Sequence, residues 1–386
     1  MLLPSLFVAA AIAEPKDLSA DLEQIRRNND VSSMVCAAYR DGELLGAGAA
    51  GWYSYEDTTP VTVESKYHIG SCTKAMTAVL VGMMVDEGAL AWDTPIADAL
   101  PGIVEEPNEH WGTVTIRDLL GHRAGIDANR NRALMSLPGM LSLAAEPLTL
   151  REQRRKIAEW ILSNEPQLPG GDEGEFAYSN HGYILAGAIL EAHYDTSWEE
   201  LMRERIFEKL GMDSAGFGPP GEVGKLTEPV GHLKRDEWQP MNLVEGQRMP
   251  DNPANFGPAG TVHANILDWG KFVDDFEQGL DGAGKLLKTD TYKAIIADND
   301  GDTYALGWGV SQRSWADGLV FNHSGSNTYW FSVTWAAPEK DLVLLCASNV
   351  PPNPGSPACD AAIGMMVGHF NTESSSDTKP TPQSGD

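Results

Sequence analysis

Ser71 and Lys74 stand three positions apart in Ser71-Cys72-Thr73-Lys74, the spacing at which two side chains share one face of a helix. Such a pair supplies a nucleophilic oxygen and a nitrogen that takes its proton, provided the amine is held neutral. A helix starting at Ser71 would favour developing negative charge there, and that positive end together with burial would disfavour a protonated lysine. The pattern alone is weak, because Ser376 to Lys379 near the end of the chain repeats it. A second group, Tyr178-Ser179-Asn180, follows Pro169-Gly170 and Phe176. Residues two apart in an extended stretch point the same way, so Tyr178 would shuttle a proton to a leaving group while Asn180 holds a substrate amide or orients the lysine. The third is His323-Ser324-Gly325, followed by Ser326. A glycine in a strand lets a ligand approach the backbone closely, and the N–H groups of Ser71 and Ser326 would together form an oxyanion hole, a device worth several kcal/mol to acyl transfer.

These stretches lie far apart, so the elements around them must fold back on one another. Asp17 to Asp30 reads as a helix with Leu18, Leu22 and Ile25 at helical spacing. Ser33–Tyr39 and Leu44–Tyr53 flank Asp41-Gly42 as a hairpin. Cys72 to Glu87 reads as a helix that is apolar on several sides, therefore buried, and ended by Gly88. The middle is helical: Ile116–Gly121, Arg151–Asn164, His181–His193 and Trp198–Leu210. Three β-like runs follow, Gly318–His323, Trp330–Ala336 and Asp341–Ser348, then a helix over Ala358–Phe370. The pattern predicts an α/β (α+β) fold, with an antiparallel sheet built from the N- and C-terminal parts, flanked by helices, and a mostly helical inserted lobe. The expected catalytic domain spans 14–371, with the sheet lobe at about 14–92 and 285–371 and the helical lobe at about 93–284. Residues 372–386 read as a disordered tail. A cleft between the lobes is the natural place for a site, its walls near Asp127 to Arg155 and Glu228 to Asn255 setting the choice of substrate.

Composition narrows the partners. A formal charge of -27 over 386 residues argues against nucleic acid, which needs clustered Lys and Arg; the expected partner is a small-molecule or peptide substrate. The four cysteines form no C-x-x-C pair and the nine histidines no H-E-x-x-H, so no metal is expected. Free buried thiols are the default, a Cys346–Cys359 disulfide the conceivable exception. Gly46 to Gly51 matches G-x-G-x-x-G, but it lies in a hairpin strand instead of opening a helix, so no cofactor is expected. Met1–Ala13 resembles a secretory leader, which points to a secreted or periplasmic protein, with the cytoplasm as the alternative. No later apolar run reaches the ~20 residues that span a bilayer, so stable membrane insertion is not expected.

In this order and at these separations the motifs resemble the serine β-lactamase and penicillin-binding-protein superfamily, whose signature is S-x-x-K with two partner motifs. Within it the chain is similar to the branch of class C β-lactamases, D-Ala-D-Ala carboxypeptidases, D-aminopeptidases and family VIII esterases, which has Y-x-N in the middle. The similarity runs from about Asp30 to Phe370 and takes in Tyr67 to Ser71, Leu119 to Ile126, Phe176 to Gly187, Arg205 to Met212, Gly257 to Gly260 and Asp268-Trp269. It implies a β-lactamase/transpeptidase-like fold and a serine hydrolase acting through an acyl-enzyme on a small ester or amide, including D-amino-acid peptides. The alternatives are a β-lactamase, or a penicillin-binding sensor that is acylated without turnover. The chain departs from the family at its third motif, with His323-Ser324-Gly325 where most β-lactamases have K-T-G. That exchange weakens the fixed charge that attracts a substrate carboxylate, and a protonated His323 would serve instead, with a charge that varies near neutral pH.

Overall fold

The computed structural model describes residues 14–126, 147–165, 174–247, 249–297 and 304–371. The leader-like 1–13, the tail 372–386, Pro169-Gly170 and the cleft-wall stretch 127–146 lie outside them.

The chain enters through β1 (Lys16–Asp17) and the helix Ser19–Asn28, whose Leu22 is buried. β2 (Ser33–Arg40) and β3 (Glu43–Ser54) form the expected hairpin, turned by Asp41 and Gly42, both at positive φ. This is the turn chemistry that matches the twist of paired strands. β4 (Asp57–Pro60) and β5 (Lys66–His68) lead to the central helix Thr73–Asp86. The middle of the chain supplies β6 (Gly216–Phe217), β7 (His232–Lys234), β8 (Trp238–Pro240) and β9 (Val262–Asn265). β10 (Gly309–Arg313), β11 (Gly318–Gly325), β12 (Phe331–Ala337) and β13 (Leu342–Ser348) complete the strands.

The main sheet runs β1-β3-β2-β13-β12-β11-β10, with β4 attached to β3; every pair is antiparallel except the short β1–β3. β2 and β13 pair from Met34↔Ser348 to Arg40↔Leu342, so the two ends of the chain interleave, as the alternation of strand-like and helix-like stretches implied. Val35, Ala37, Tyr39, Val343 and Leu345 face the larger core, while Met34, Cys36, Ala38, Leu344 and Cys346 face a second core under the helices Ser19–Asn28 and Pro352–Phe370. Burial on both faces explains why β2 and β13 read as unbroken apolar runs instead of alternating ones. Cys36, Cys346 and Cys359 meet in that second core as free buried thiols.

Helix Thr73–Asp86 is buried along nearly all its length and packs against the helices Asn180–Tyr194 and Thr289–Ile296 and the turn Gly257–Gly260. Helix Ile266–Gly279 lies on β2, β12 and β13, so it covers the sheet although it falls in the middle stretch of the chain. Three elements depart locally from the expected pattern. The stretch Trp198–Leu210 is helical but widens into a π-helical turn at Arg203–Phe207. The last helical stretch, Pro352–Phe370, is broken by a kink at Asn353, whose backbone is non-helical, so the continuous helix begins beyond it at Pro354, where proline is tolerated in a first turn. The small sheet β5-β9-β6 and the edge strand β10 have too few residues to show periodicity. The G-x-G-x-x-G run lies inside β3. Among the described residues no helix is long and apolar enough to cross a membrane.

Candidate active site

Ser71 sits where β5 hands over to the central helix. β5 pairs with β9, and Ile69 N–H extends the pairing by donating to Val262 O at 2.9 Å. Gly70 then takes φ +52°, and a single 3₁₀ turn, Gly70–Cys72, places Ser71 half-buried at the mouth of helix Thr73–Asp86. β11 presses on this turn. A Cβ on Gly325 would lie 2.0 Å from Ile69 O and 2.7 Å from Ser71 N, and one on Gly70 would lie 2.4 Å from Ser326 N. Only two glycines allow that approach, which brings the amides of Ser71 and Ser326 to one small space.

Lys74, one turn along, is completely buried. Its Nζ lies 3.3 Å from Ser71 Oγ and donates to Asn180 Oδ1 at 2.8 Å and Ala259 O at 2.6 Å. Both acceptors are uncharged, so nothing repays the loss of water around an ammonium. Burial pushes the lysine down from 10.5 to about 7. The nitrogen also stands 4.9 Å from the centroid of the Tyr178 ring and 5.4 Å from that of Tyr183.

Tyr178 and Asn180 reach the same spot from the start of helix Asn180–Tyr194, where Ser179 caps the helix by accepting from Gly182 N–H. Burial drives the Tyr178 phenol above its ordinary value, partly offset by the Ser71 side chain beside it. His122 holds this segment. Its carbonyl accepts from Ala177 N–H at 2.7 Å, its Nδ1 accepts from Ser179 N–H at 3.1 Å, and its ring lies 4.3 Å from that of Tyr178. A ring nitrogen that accepts carries no proton, and burial, aided by Lys74 and His323, keeps His122 well below the usual histidine range.

His323 departs from expectation. It is buried, its Nδ1 faces Ser324 O at 2.7 Å, and its Nε2 stands 2.9 Å from Tyr304 Oη. A carbonyl only accepts, so Nδ1 bears the proton and Nε2 accepts from the phenol. Burial, then the proximity of Lys74, lowers His323 to about 3. The expected change of charge near neutral pH does not arise, because the ring is sealed from water. Ser324 alternates to the exposed side of β11, and Ser326 Oγ accepts from Thr328 N–H at 3.0 Å. The structure thus gathers Ser71, Lys74, Tyr178 and Asn180 around one hydroxyl and lays His323 to Ser326 beside them. Sequence reasoning missed three contributors. Tyr304 carried no motif. His122 and Ala259 stood in family-like phrases, Leu119 to Ile126 and Gly257 to Gly260, that gave no hint of their contacts.

Comparison with known proteins extends this from geometry to kinship. The family model described as Beta-lactamase matches residues 18–364. The chain is 26% identical over 340 residues to penicillin-binding protein 4 of Amycolatopsis lactamdurans, covering 85% of this chain and 83% of that one. It is 22% identical over 338 residues to the D-aminopeptidase of Brucella anthropi, covering 86% of this chain and 59% of that protein. The crystal structure of a D-stereospecific amidohydrolase from Streptomyces superposes with a TM-score of 0.66 at 21% identity, covering 89% of this chain and 98% of that one; at that identity the likeness shows the fold. A family match reaching from the first helix into the last leaves one assignment: this chain belongs to the beta-lactamase family and is a serine hydrolase of that superfamily.

Proposed function

We propose that the chain hydrolyses small esters and amides, D-amino-acid amides and peptides among them, through an acyl-enzyme on Ser71. The Lys74 amine carries this reading. A neutral amine has two N–H groups and one lone pair; Asn180 and Ala259 take the two N–H groups, which leaves the lone pair for the Ser71 hydroxyl 3.3 Å away. Ser71 Oγ bonds to the carbonyl carbon as its proton passes to Lys74. The oxyanion that forms lies between the Ser71 and Ser326 amides. Tyr178, beside Ser71 and kept protonated by burial, relays the proton to the leaving oxygen or nitrogen, and the C–O or C–N bond breaks to release alcohol or amine. Water, deprotonated by the same groups, then attacks the acyl-enzyme, freeing the acid and restoring the serine.

Two observations bear on the substrate, and the first favours one without a carboxylate beside the scissile bond. Neutral His323 offers no fixed charge where a lysine would, and the β10 register stops at Asn322, leaving the edge of His323 to Gly325 for the backbone of an acyl group. We place esters and D-amino-acid amides ahead of β-lactams. Time-resolved mass spectrometry with nitrophenyl butyrate, a D-Ala-D-Ala peptide and a chromogenic cephalosporin tests this. Turnover of the ester with a transient adduct on Ser71 is expected. An adduct that persists would identify a penicillin-binding sensor instead, and the absence of any adduct would overturn the reading. Ser71→Ala should lower kcat/KM by at least about 10³-fold.

A further inference from the structure

Three buried side chains behind the Ser71 and Ser326 amides take no part in the chemistry above. His68, the last residue of β5, is fully buried. Its Nδ1 accepts from Gly70 N–H at 3.0 Å, so its own proton is on Nε2. That nitrogen hydrogen-bonds Asp251 Oδ2 at 3.1 Å, while Oδ1, though as near, is not its hydrogen-bond partner. Asp251 Oδ1 also accepts from the Asn327 side-chain amide at 2.7 Å and from Asn252 N–H at 2.7 Å. Asn327 directly follows Ser326, is 3% exposed, and accepts from Tyr329 N–H through Oδ1 at 3.2 Å. One carboxylate therefore ends two chains of contact, one running through His68 to the residue before Ser71, the other through Asn327 to the residue after Ser326.

We propose that Asp251 is a positioning residue for the oxyanion hole, setting the separation of the Ser71 and Ser326 amides through His68 and Asn327. The proposal rests on the acyl-transfer reading of the same site. Two donors stabilise an oxyanion only if both lie about 2.7–3.1 Å from where the oxygen will be. At the contact between the two segments stand Gly70 and Gly325, which have no side chains to fix that spacing, so it is fixed from behind. His68 matters by its tautomer. Gly70 N–H keeps its acceptor only while Nε2 holds the proton, and only an acceptor at Asp251 secures that state.

Asp251→Asn keeps the shape and breaks the logic. If its amide NH₂ faces His68, Nε2 must accept, the proton moves to Nδ1, and Nδ1–H confronts Gly70 N–H. If its oxygen faces His68, the NH₂ confronts the Asn327 and Asn252 donors. Either way one branch is lost. In the folded variant we expect kcat for nitrophenyl butyrate to fall about 10- to 100-fold with KM within about threefold, and inhibition by a phenylboronic acid, whose adduct is tetrahedral, to weaken by a similar factor. Asn327→Ala, which cuts one branch only, should lower kcat about tenfold and carries the test should Asp251→Asn not fold. Nitrogen NMR of the wild type, assigned with His68→Gln, should show the Nε2–H tautomer at His68. A folded Asp251→Asn or Asn327→Ala with kcat within about threefold of wild type, or a wild-type His68 protonated on Nδ1, would overturn the proposal. A wild type that turns over no ester and forms no adduct would instead strike the acyl-transfer reading, while the NMR arm still tests the network.

Discussion

At the scale of single residues, the proposed role of Lys74 as base rests on its surroundings, which remove water and supply only neutral acceptors. The pH dependence follows directly. With the lysine at about 7, the basic form is scarce in acid, so kcat/KM should rise about tenfold per pH unit below 7 and level off above it. Burial raises the Tyr178 phenol, which keeps the proposed proton donor intact across that range. His323, lowered to about 3, contributes no ionisation there. A pH profile of His323→Gln should therefore keep the limb near 7 whatever its overall rate; a limb that disappears would assign it to the histidine. Ser71, Lys74, Tyr178 and Asn180 were legible because fixed spacing along a helix or strand implies a shared direction. His122 and Tyr304 were not, because their partners lie across the fold, and Ala259 contributes a main-chain carbonyl that any residue type would provide.

At the scale of elements, the site depends on how closely β11 meets the turn before the central helix. Gly325→Ala would put a methyl 2.0 Å from Ile69 O, a backbone atom anchored by the pairing of β5 with β9. The strand must back away and carry Ser326 with it. The expected outcome is a lower Tm in calorimetry and a loss of at least about 100-fold in Ser71 acylation. A variant that acylates at the wild-type rate would show that the strand does not hold the donor. Long or strongly patterned elements were legible: the β2–β3 hairpin from Asp41-Gly42 and its flanking runs, and the central helix from its all-round apolarity. The three-residue β5 and two-residue β6 were not, because pairing partners far along the chain define them, not local preference. The same holds for the π-helical turn at Arg203–Phe207, whose residues read as ordinary helix formers.

At the scale of the whole molecule, the charge of -27 was plain in the composition, but the group of carboxylates around Glu277 was not. Glu277 is buried and feels Asp341, Asp274, Asp281 and Asp41; burial first, then these carboxylates, raise it from 4.5 to about 8, and burial raises Asp274 to about 6. The folded protein thus holds a proton at Glu277 that the unfolded chain releases near pH 4.5. Stability falls as pH climbs through this window, and the full cost is reached above about 8. Glu277→Gln should raise Tm by about 2–5 °C at pH 8.5 and leave it nearly unchanged at pH 4.5. Thermal scans at the two pH values check this, and equal shifts at both would count against a titrating carboxyl. The pairing of β2 with β13 has a consequence in time. As the chain leaves the ribosome, β2 keeps one edge bare until about 300 further residues are made, roughly 15–60 s at ~5–20 residues per second. Ser71 emerges early but the β11 wall beside it follows about 250 residues later, so a chain that stops between them holds the proposed nucleophile without its pocket, and activity waits for β11.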